Sequence, residues 1–171
     1  MIPVLRADGI ELRPLTADDA AEHCAGQDDF EIAAFEFPRA SGIDDVVAAI
    51  ATWQDSWARN GPVRNFGIWD SASGALCGNI EVRLIADGVV NLSYLVFPGF
   101  RRRGMATRAA QCALGYAASE MGARTARIKV LDWNEASLSV ACSVGGREVA
   151  REPSDAGGTF VVFEVPLRVQ G

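Results

Sequence analysis

The 171 residues carry 22 acidic and 16 basic side chains, a formal net charge of −6, and 49% of them are apolar. This is the composition of a globular protein with a core, and its acidity argues against direct nucleic-acid binding through many phosphate contacts. The sequence has no run of about 18 apolar residues that could span a bilayer, and no export signal marks its N-terminus. We therefore expect a cytoplasmic protein without a membrane partner.

The first part of the chain alternates strand and helix signals. Residues 10–13 alternate apolar and polar side chains before a proline, which predicts a strand. A hydroxyl residue followed by acids predicts a helix over 16–25, and the apolar spacing predicts a longer helix over 44–59. Between these helices, residues 27–42 have no clear periodicity and hold three phenylalanines.

The rest of the chain contains strands, then alternates helix and strand. An Asp-Gly pair separates residues 75–85 from 89–97, which predicts an antiparallel hairpin, and another strand is expected at 65–69. Further elements are predicted at 104–118 (helix), 125–131 (strand), 135–143 (helix), 148–151 (strand) and 159–167 (strand). The patterns predict one mixed α/β domain, residues 1–171, with about seven strands and about four helices.

A basic turn joins the strand that ends at Phe97 to the helix that starts near Gly104. The first N–H groups of a helix have no intrahelical partner and its dipole is positive there, so such an end attracts anions. Small residues allow a phosphate to approach these amides, and consecutive arginines add positive charge. We predict a pyrophosphate cradle formed by Arg101, Arg102, Arg103, Gly104, Met105, Ala106 and Thr107. The alternative is an ordinary turn with a solvated basic face.

These residues resemble a known family. Residues 96–106 read VFPGFRRRGMA and are similar, in register, to the VxPxxRxxGxA acetyl-CoA motif of the GNAT superfamily of acyl-CoA N-acyltransferases. Residues 134–145 resemble the second family motif, NxxSxxxxxxxG. The resemblance implies a twisted, mostly antiparallel sheet that splays between its fourth and fifth strands. It also implies acetyl-CoA as cosubstrate, and it is strongest toward the branch that acetylates ribosomal-protein N-termini.

The resemblance also implies roles for individual residues. Backbone groups of Leu95, Val96 and Phe97 would pair with the pantetheine arm and the thioester carbonyl, and Asn134 would contact the same arm. Asn134 could equally be the N-cap of the following helix. Many relatives place a catalytic tyrosine seven residues after this asparagine, where this chain has Ala141.

Two residues are candidates for proton transfer. Ser137 is the nearest substitute for the missing tyrosine, and a hydroxyl bonded to its own helix is the alternative. Relatives often carry an acid just before the aromatic residue of the motif strand, but this chain has Asn91 there, which cannot accept a proton. Glu81, on the strand paired with the motif strand, is therefore the candidate base if it faces the cleft, and a solvated strand residue if it does not.

The predicted activity is acetyl transfer from acetyl-CoA to a primary amine: a protein N-terminus, an aminoglycoside or a small amine. We expect no metal site, because the four cysteines are scattered and the single histidine, His23, reads as a surface or capping residue. One rival is a CoA-binding module that has lost turnover. A P-loop nucleotide binder is disfavoured, since no Gly-Lys-Ser or Gly-Lys-Thr follows the turn. The aromatic segment at 30–37 could serve acceptor binding or a homodimer.

Overall fold

The computed structural model describes residues 3–168, so the predicted domain ends at 1 and 171 lie outside the described residues. In chain order the elements are β1 (Leu5–Ala7), β2 (Ile10–Arg13), α1 (Ala20–Ala25), α2 (Asp29–Ala34), α3 (Ile43–Ala58), β3 (Val63–Asp70), β4 (Leu76–Ala86), β5 (Val89–Val96), α4 (Met105–Glu120), β6 (Thr125–Leu131), α5 (Glu135–Ser143), β7 (Arg147–Pro153) and β8 (Thr159–Pro166). Short 3₁₀ turns precede α1 and follow β5.

The strands form one sheet in the order β1-β2-β3-β4-β5-β6-β8-β7. Neighbouring strands are antiparallel except β5 and β6, which run parallel. The predicted mixed α/β class with a mostly antiparallel sheet is confirmed. Two elements were not predicted: β1 has three residues and α2 has six, and both are too short to show a period.

The sheet opens between β5 and β6. Within the described chain, these two strands pair over Val89–Asn91 and Thr125–Arg127 and then separate. β5 stays paired with β4 as far as Val96, and β6 stays paired with β8 along its whole length. Because β1 adds one strand at the start, this opening is the predicted splay between the fourth and fifth strands.

Helices cover both faces of the sheet. On one face, α4 buries an alanine stripe that includes Ala109, Ala113 and Ala117 against sheet residues such as Ile80 and Val90. Small side chains bring the helix axis close to the sheet, and each large apolar side chain buried there contributes about 1.5–3 kcal/mol. On the other face, α1 and α3 pack over a second buried cluster.

Candidate active site

A cavity of about 430 Å³, here called the cleft cavity, occupies the opening between β5 and β6. Its walls come from the end of β5, the loop into α4, the start of α5, and α2. The predicted site residues that line it are Leu95, Val96, Arg101, Arg102, Gly104, Met105, Ala106, Thr107, Asn134 and Ser137. Phe97, Arg103 and Glu81 do not line it.

The loop into α4 presents free backbone donors. In the described chain, the N–H groups of residues 102–107 have neither a backbone nor a side-chain acceptor. Arg102 and Gly104 have positive φ angles of 60° and 70°, which turn the chain sharply before the helix. A side chain at Gly104 would meet open space, with Arg108 as the nearest group at 4.0 Å. The first turn of α4 thus has the geometry of an anion site.

The three arginines of the loop differ in environment. The guanidinium of Arg101 makes two hydrogen bonds with the Asp28 carboxylate, at 2.7 and 2.9 Å. Its Nε donates to the Val96 carbonyl at 2.8 Å. Arg102 and Arg103 are exposed. Arg101 is therefore committed to holding α2 against the end of β5, whereas the other two side chains are open to an anion.

The structure corrects the prediction for the backbone of β5. The Phe97 N–H donates to the Cys77 carbonyl at 2.7 Å and so points toward β4. Since backbone groups alternate along an antiparallel strand, those of Leu95 also point toward β4, and those of Tyr94 and Val96 point into the cleft. Of the three predicted residues, Val96 alone turns its backbone toward the cleft. Its carbonyl is already bound by Arg101, which leaves its N–H.

The wall on α5 contains the second predicted motif. Asn134 is buried and its Oδ1 accepts the Ser137 N–H at 3.2 Å, so it caps α5. Its Nδ2 and the Ser137 hydroxyl have no hydrogen-bond partner among residues 3–168. The Tyr94 hydroxyl donates to the Ser137 carbonyl at 3.2 Å, across the opening, and burial raises the pKa of Tyr94 to about 12.

A second cavity of about 390 Å³, here called the side cavity, lies between the sheet and helices α1 to α3. It meets the cleft cavity at the residues common to both linings, which are Glu31, Phe35, Tyr94 and Leu95. Asn65, Asn79 and Glu81 form part of its floor on the sheet. The two cavities therefore lie next to each other, one beside the basic loop and the other beneath the helices.

Glu31, on α2, is the functional candidate that the sequence did not reveal. It is 4% exposed, and its carboxylate has no hydrogen-bond partner in the described chain. Burial, together with the nearby Asp28 charge, raises the pKa of Glu31 to about 7. No sequence pattern indicates this burial, because a six-residue helix with three acids near its start resembles an ordinary solvated turn.

Glu81 lies in the side cavity and not in the cleft. Arg83 donates to its Oε1 at 2.9 and 3.1 Å, and Asn65 Nδ2 lies 3.4 Å from its Oε2. Its side chain is 15% exposed. Glu81 is thus neither a solvated strand residue nor a neighbour of the opening.

The prediction that His23 is a surface or capping residue is wrong. It is 7% exposed and packs against the rings of Trp53 and Phe97. Its Nε2 lies 3.4 Å from Asn79 Oδ1, and burial lowers the pKa of the imidazole. His23 is therefore a neutral wall residue of the side cavity.

Within residues 3–168, no group of three or more His, Cys, Asp or Glu residues is arranged to hold a metal ion. None of the helices described there is both long and apolar enough to cross a membrane.

The chain matches the family model described as an acetyltransferase (GNAT) domain, over residues 10–147. No curated protein matches it in sequence. Among solved structures, RimL, a ribosomal L7/L12 alpha-N-protein acetyltransferase in complex with coenzyme A, aligns with a TM-score of 0.86 at 12% identity, covering 98% of this chain and 100% of that chain.

Two further solved structures share the fold. Mycobacterium smegmatis RimJ in complex with CoA-disulfide aligns with a TM-score of 0.78 at 18% identity, covering 96% of this chain and 86% of that chain. The microcin C7 self immunity acetyltransferase MccE, in complex with acetyl-CoA and AMP, aligns with a TM-score of 0.82 at 16% identity, covering 94% of each chain. At these identities the likeness establishes the fold.

Proposed function

This chain belongs to the GNAT acetyltransferase family, and from that premise we propose that it transfers the acetyl group of acetyl-CoA to a primary amine by direct attack in a ternary complex. The observation that carries the proposal is the cleft cavity, which runs from a loop of free amide donors to the side cavity. Donor and acceptor could then enter from opposite sides and meet at Tyr94 and Leu95.

The residues of the cleft fit acetyl-CoA. The free N–H groups at the start of α4 suit a pyrophosphate, and Arg102, which lines the cleft, adds exposed positive charge. The outward N–H groups of Tyr94 and Val96 suit the amide-bearing pantetheine arm, which would pair with β5 as an extra strand. Asn134 Nδ2 offers one more donor from the opposite wall. When bound, acetyl-CoA supplies the activated acetyl thioester.

Glu31 is the best candidate to accept the proton of the amine. It lies where the two cavities meet. Its pKa of about 7 is close to neutral pH, and a general base works best when its pKa is close to the working pH. The sequence offered Glu81 as either the base or a solvated strand residue, but that carboxylate is bound to Arg83 and does not line the cleft cavity. We assign Glu81 to acceptor binding instead.

The opposite wall would handle the departing thiolate. Ser137 lines the cleft and its hydroxyl is free in the described chain, so it can orient or relay a proton. Tyr94 positions this wall through its hydrogen bond to the Ser137 carbonyl. The Val96 N–H is the donor best directed at a thioester oxygen in the opening.

The rival function, a CoA-binding module without turnover, is motivated by a missing base and by the missing catalytic tyrosine. Glu31 supplies that base, which favours the enzyme. A thiol-release assay with a panel of primary amines separates the two. Turnover with any amine supports the enzyme, and tight CoA binding without thiol release supports the module.

Substitution of Gly104 tests acetyl-CoA binding directly. Gly104→Glu adds a strained left-handed side chain and a negative charge beside the free amides. We expect the Kd for acetyl-CoA, measured by calorimetry, to rise by about 100-fold, equivalent to about 3 kcal/mol. Gly122→Glu is the matched control, because Gly122 has a similar φ of 65° and open space but lies beyond the other end of α4. An unchanged Kd in Gly104→Glu would refute the proposed cradle.

A further inference from the structure

The side cavity has carboxylates but no positive side chain in its lining. Glu31, Asp45 and Glu81 line it, and no lysine or arginine is among its described wall residues. Its one imidazole, His23, is buried and neutral. A carboxylate or phosphate on the acceptor would find no counter-charge in this lining, whereas an ammonium group would find the carboxylates of Glu31 and Glu81.

The walls between these charges are apolar. Trp53 and Val46 come from α3, Phe35 from the end of α2 and Leu95 from β5. Such walls suit a methylene chain, and aromatic faces also attract cations. The volume of about 390 Å³ is near the lower end of the range for ligand sites, which is about 300–1,000 Å³. The space therefore favours a small, slender molecule over a large sugar.

A group of hydrogen-bond acceptors in the side cavity lies on the sheet. Asn65, Glu81 and Ser93 lie side by side on β3, β4 and β5. Strand spacing sets Asn65 roughly 10 Å from β5 across the sheet. Glu81 Oε2 has one long contact, and Asn65 Oδ1 is buried without a donor in the described chain. Since Asn65 Oδ1 is covered, a small rotation of the amide would be needed to expose it.

The other acids of the cavity are already occupied or lie at its near end. Asp45 is bound by Arg39 and by the Gly42 N–H, where it caps α3. Glu31 lies at the junction with the cleft. Glu81 is also paired, because Arg83 binds its Oε1, but its Oε2 has only the 3.4 Å contact with Asn65. Glu31 and the Oε2 of Glu81 are thus the carboxylate groups left for the two ends of a bound molecule.

From this arrangement, and resting on the proposed function, we infer that the acceptor is a short aliphatic α,ω-diamine, with one amine beside Glu31 and the other held by Glu81 and Asn65. The reacting nitrogen forms the C–N bond to the acetyl carbon as the C–S bond breaks. One of its protons passes to Glu31 and another ends on the departing thiolate. The second amine stays protonated throughout.

A matched set of three acceptors tests the inference. 1,5-Diaminopentane, pentylamine and 5-aminopentanoate have a five-carbon chain and a reacting amine, and differ at the far end as a cation, an uncharged methyl and an anion. We expect kcat/KM to fall in that order, with the diamine exceeding the amino acid by about 100-fold, which corresponds to about 3 kcal/mol. Equal values for the diamine and pentylamine would overturn the inference while leaving the acetyltransferase activity intact.

Two variants locate the far site. Glu81→Gln should reduce the ratio of kcat/KM for diamine over pentylamine by about tenfold or more, since one charged contact is worth roughly 1.5–3 kcal/mol. Asp155→Asn removes an equal charge from the exposed β7–β8 turn and should leave the ratio unchanged. A Glu81→Gln ratio equal to that of the native protein would contradict the assignment.

Binding without chemistry keeps the site and the reaction separate. Calorimetric titration of 1,5-diaminopentane into the protein without acetyl-CoA should give a weaker Kd for Glu81→Gln than for Asp155→Asn. Diamine binding without thiol release for any amine would support the site and count against the proposed function. If the diamine does not bind although other amines are acetylated, the site is wrong and the function stands.

Discussion

The burial of Glu31 destabilises the fold when the carboxylate is ionised, and it also makes the carboxylate a better base. Its carboxylate is buried beside Asp28 without a cationic partner of its own, and its pKa is raised from 4.5 to about 7. A pKa of about 7 brings this carboxylate closer than an ordinary one to the pKa of an alkylammonium group, about 10.4 for lysine, and so reduces the cost of taking its proton. A surface carboxylate would be a much weaker base at the same pH.

Glu31→Gln should lower kcat by about 10²–10⁴-fold, the usual contribution of a general base. The pH profile of kcat/KM for the amine should bend near 7 in the native protein, because the ionised carboxylate is required, and the variant should lose that bend. Asp29→Asn, an exposed acid on the same helix, is the control and should keep it. A bend that persists in Glu31→Gln would transfer the role to another group.

The same variant should be more stable than the native protein at alkaline pH. The folded state of the native protein binds a proton at Glu31 more tightly than the unfolded state, so its stability falls as pH rises from about 4.5 through about 7. Glutamine carries no charge, and it should raise the free energy of unfolding at pH 8 by about 1–3 kcal/mol. At pH 4 the difference should vanish. Urea unfolding at the two pH values measures this.

Sequence patterns located the loop over 101–107 but missed the features that depend on how the elements pack together. The loop over 101–107 was predicted because glycine, small residues and a helix start are visible in one dimension. The burial of Glu31 and His23 depends on how α1 and α2 pack on the sheet, which local pattern does not encode. The direction of the Phe97 N–H likewise depends on strand register.

At the level of whole elements, α2 is fixed by a link to the loop after β5. Asp28 accepts the Glu31 N–H at 2.9 Å, which caps the helix, and pairs with Arg101 through two hydrogen bonds. Phe30 also meets the ring of Trp133, next to α5, with centroids 5.7 Å apart. The helix that carries Glu31 thus contacts both sides of the cleft.

Breaking the Asp28–Arg101 link should affect the acceptor as well as the fold. Asp28→Asn keeps a side chain that can cap the helix but loses the negative charge. Arg101→Gln loses the guanidinium that makes two hydrogen bonds with the carboxylate. Each should destabilise the protein by about 1–2 kcal/mol and raise the KM for the amine, and the double variant should cost less than the sum. Thermal unfolding and steady-state kinetics provide the measurements. Additive effects on stability would argue against a direct link.

Arg102→Gln is the matched comparison in the same loop. Its guanidinium is exposed, so its loss should weaken acetyl-CoA binding in a salt-dependent way and leave stability within about 0.5 kcal/mol. A comparable loss of stability would mean that the arginines of the loop act alike.

Element type followed from length and periodicity. The sixteen-residue helices α3 and α4 were predicted with nearly correct bounds, since their apolar stripes span several turns. The splay was not visible as a pattern, because β5 and β6 separate through a change of pairing and not of composition. It came from the family resemblance, and the register confirms it.

For the molecule as a whole, the sheet consists of two halves joined by a short parallel contact at Val89–Asn91 and by α4. A pantetheine arm bound in the opening would contact both halves of the sheet and so link them. Bound at a hundred times its Kd, acetyl-CoA would stabilise the folded state by about 2.7 kcal/mol. The stabilisation should be concentrated on the free edge of β5.

Hydrogen exchange can resolve that edge residue by residue. Without ligand, the amides of Leu95 and Phe97 should exchange slowly because they donate to β4, and those of Tyr94 and Val96 should exchange faster because they face the opening. Acetyl-CoA should slow Tyr94 and Val96 selectively, along with the first amides of α4. The Gly104→Glu variant under the same ligand concentration should retain the unliganded pattern. If ligand slowed Leu95 and Phe97 instead, the arm would lie against the other edge of β5, and the amine would have to reach the thioester by a path other than the side cavity.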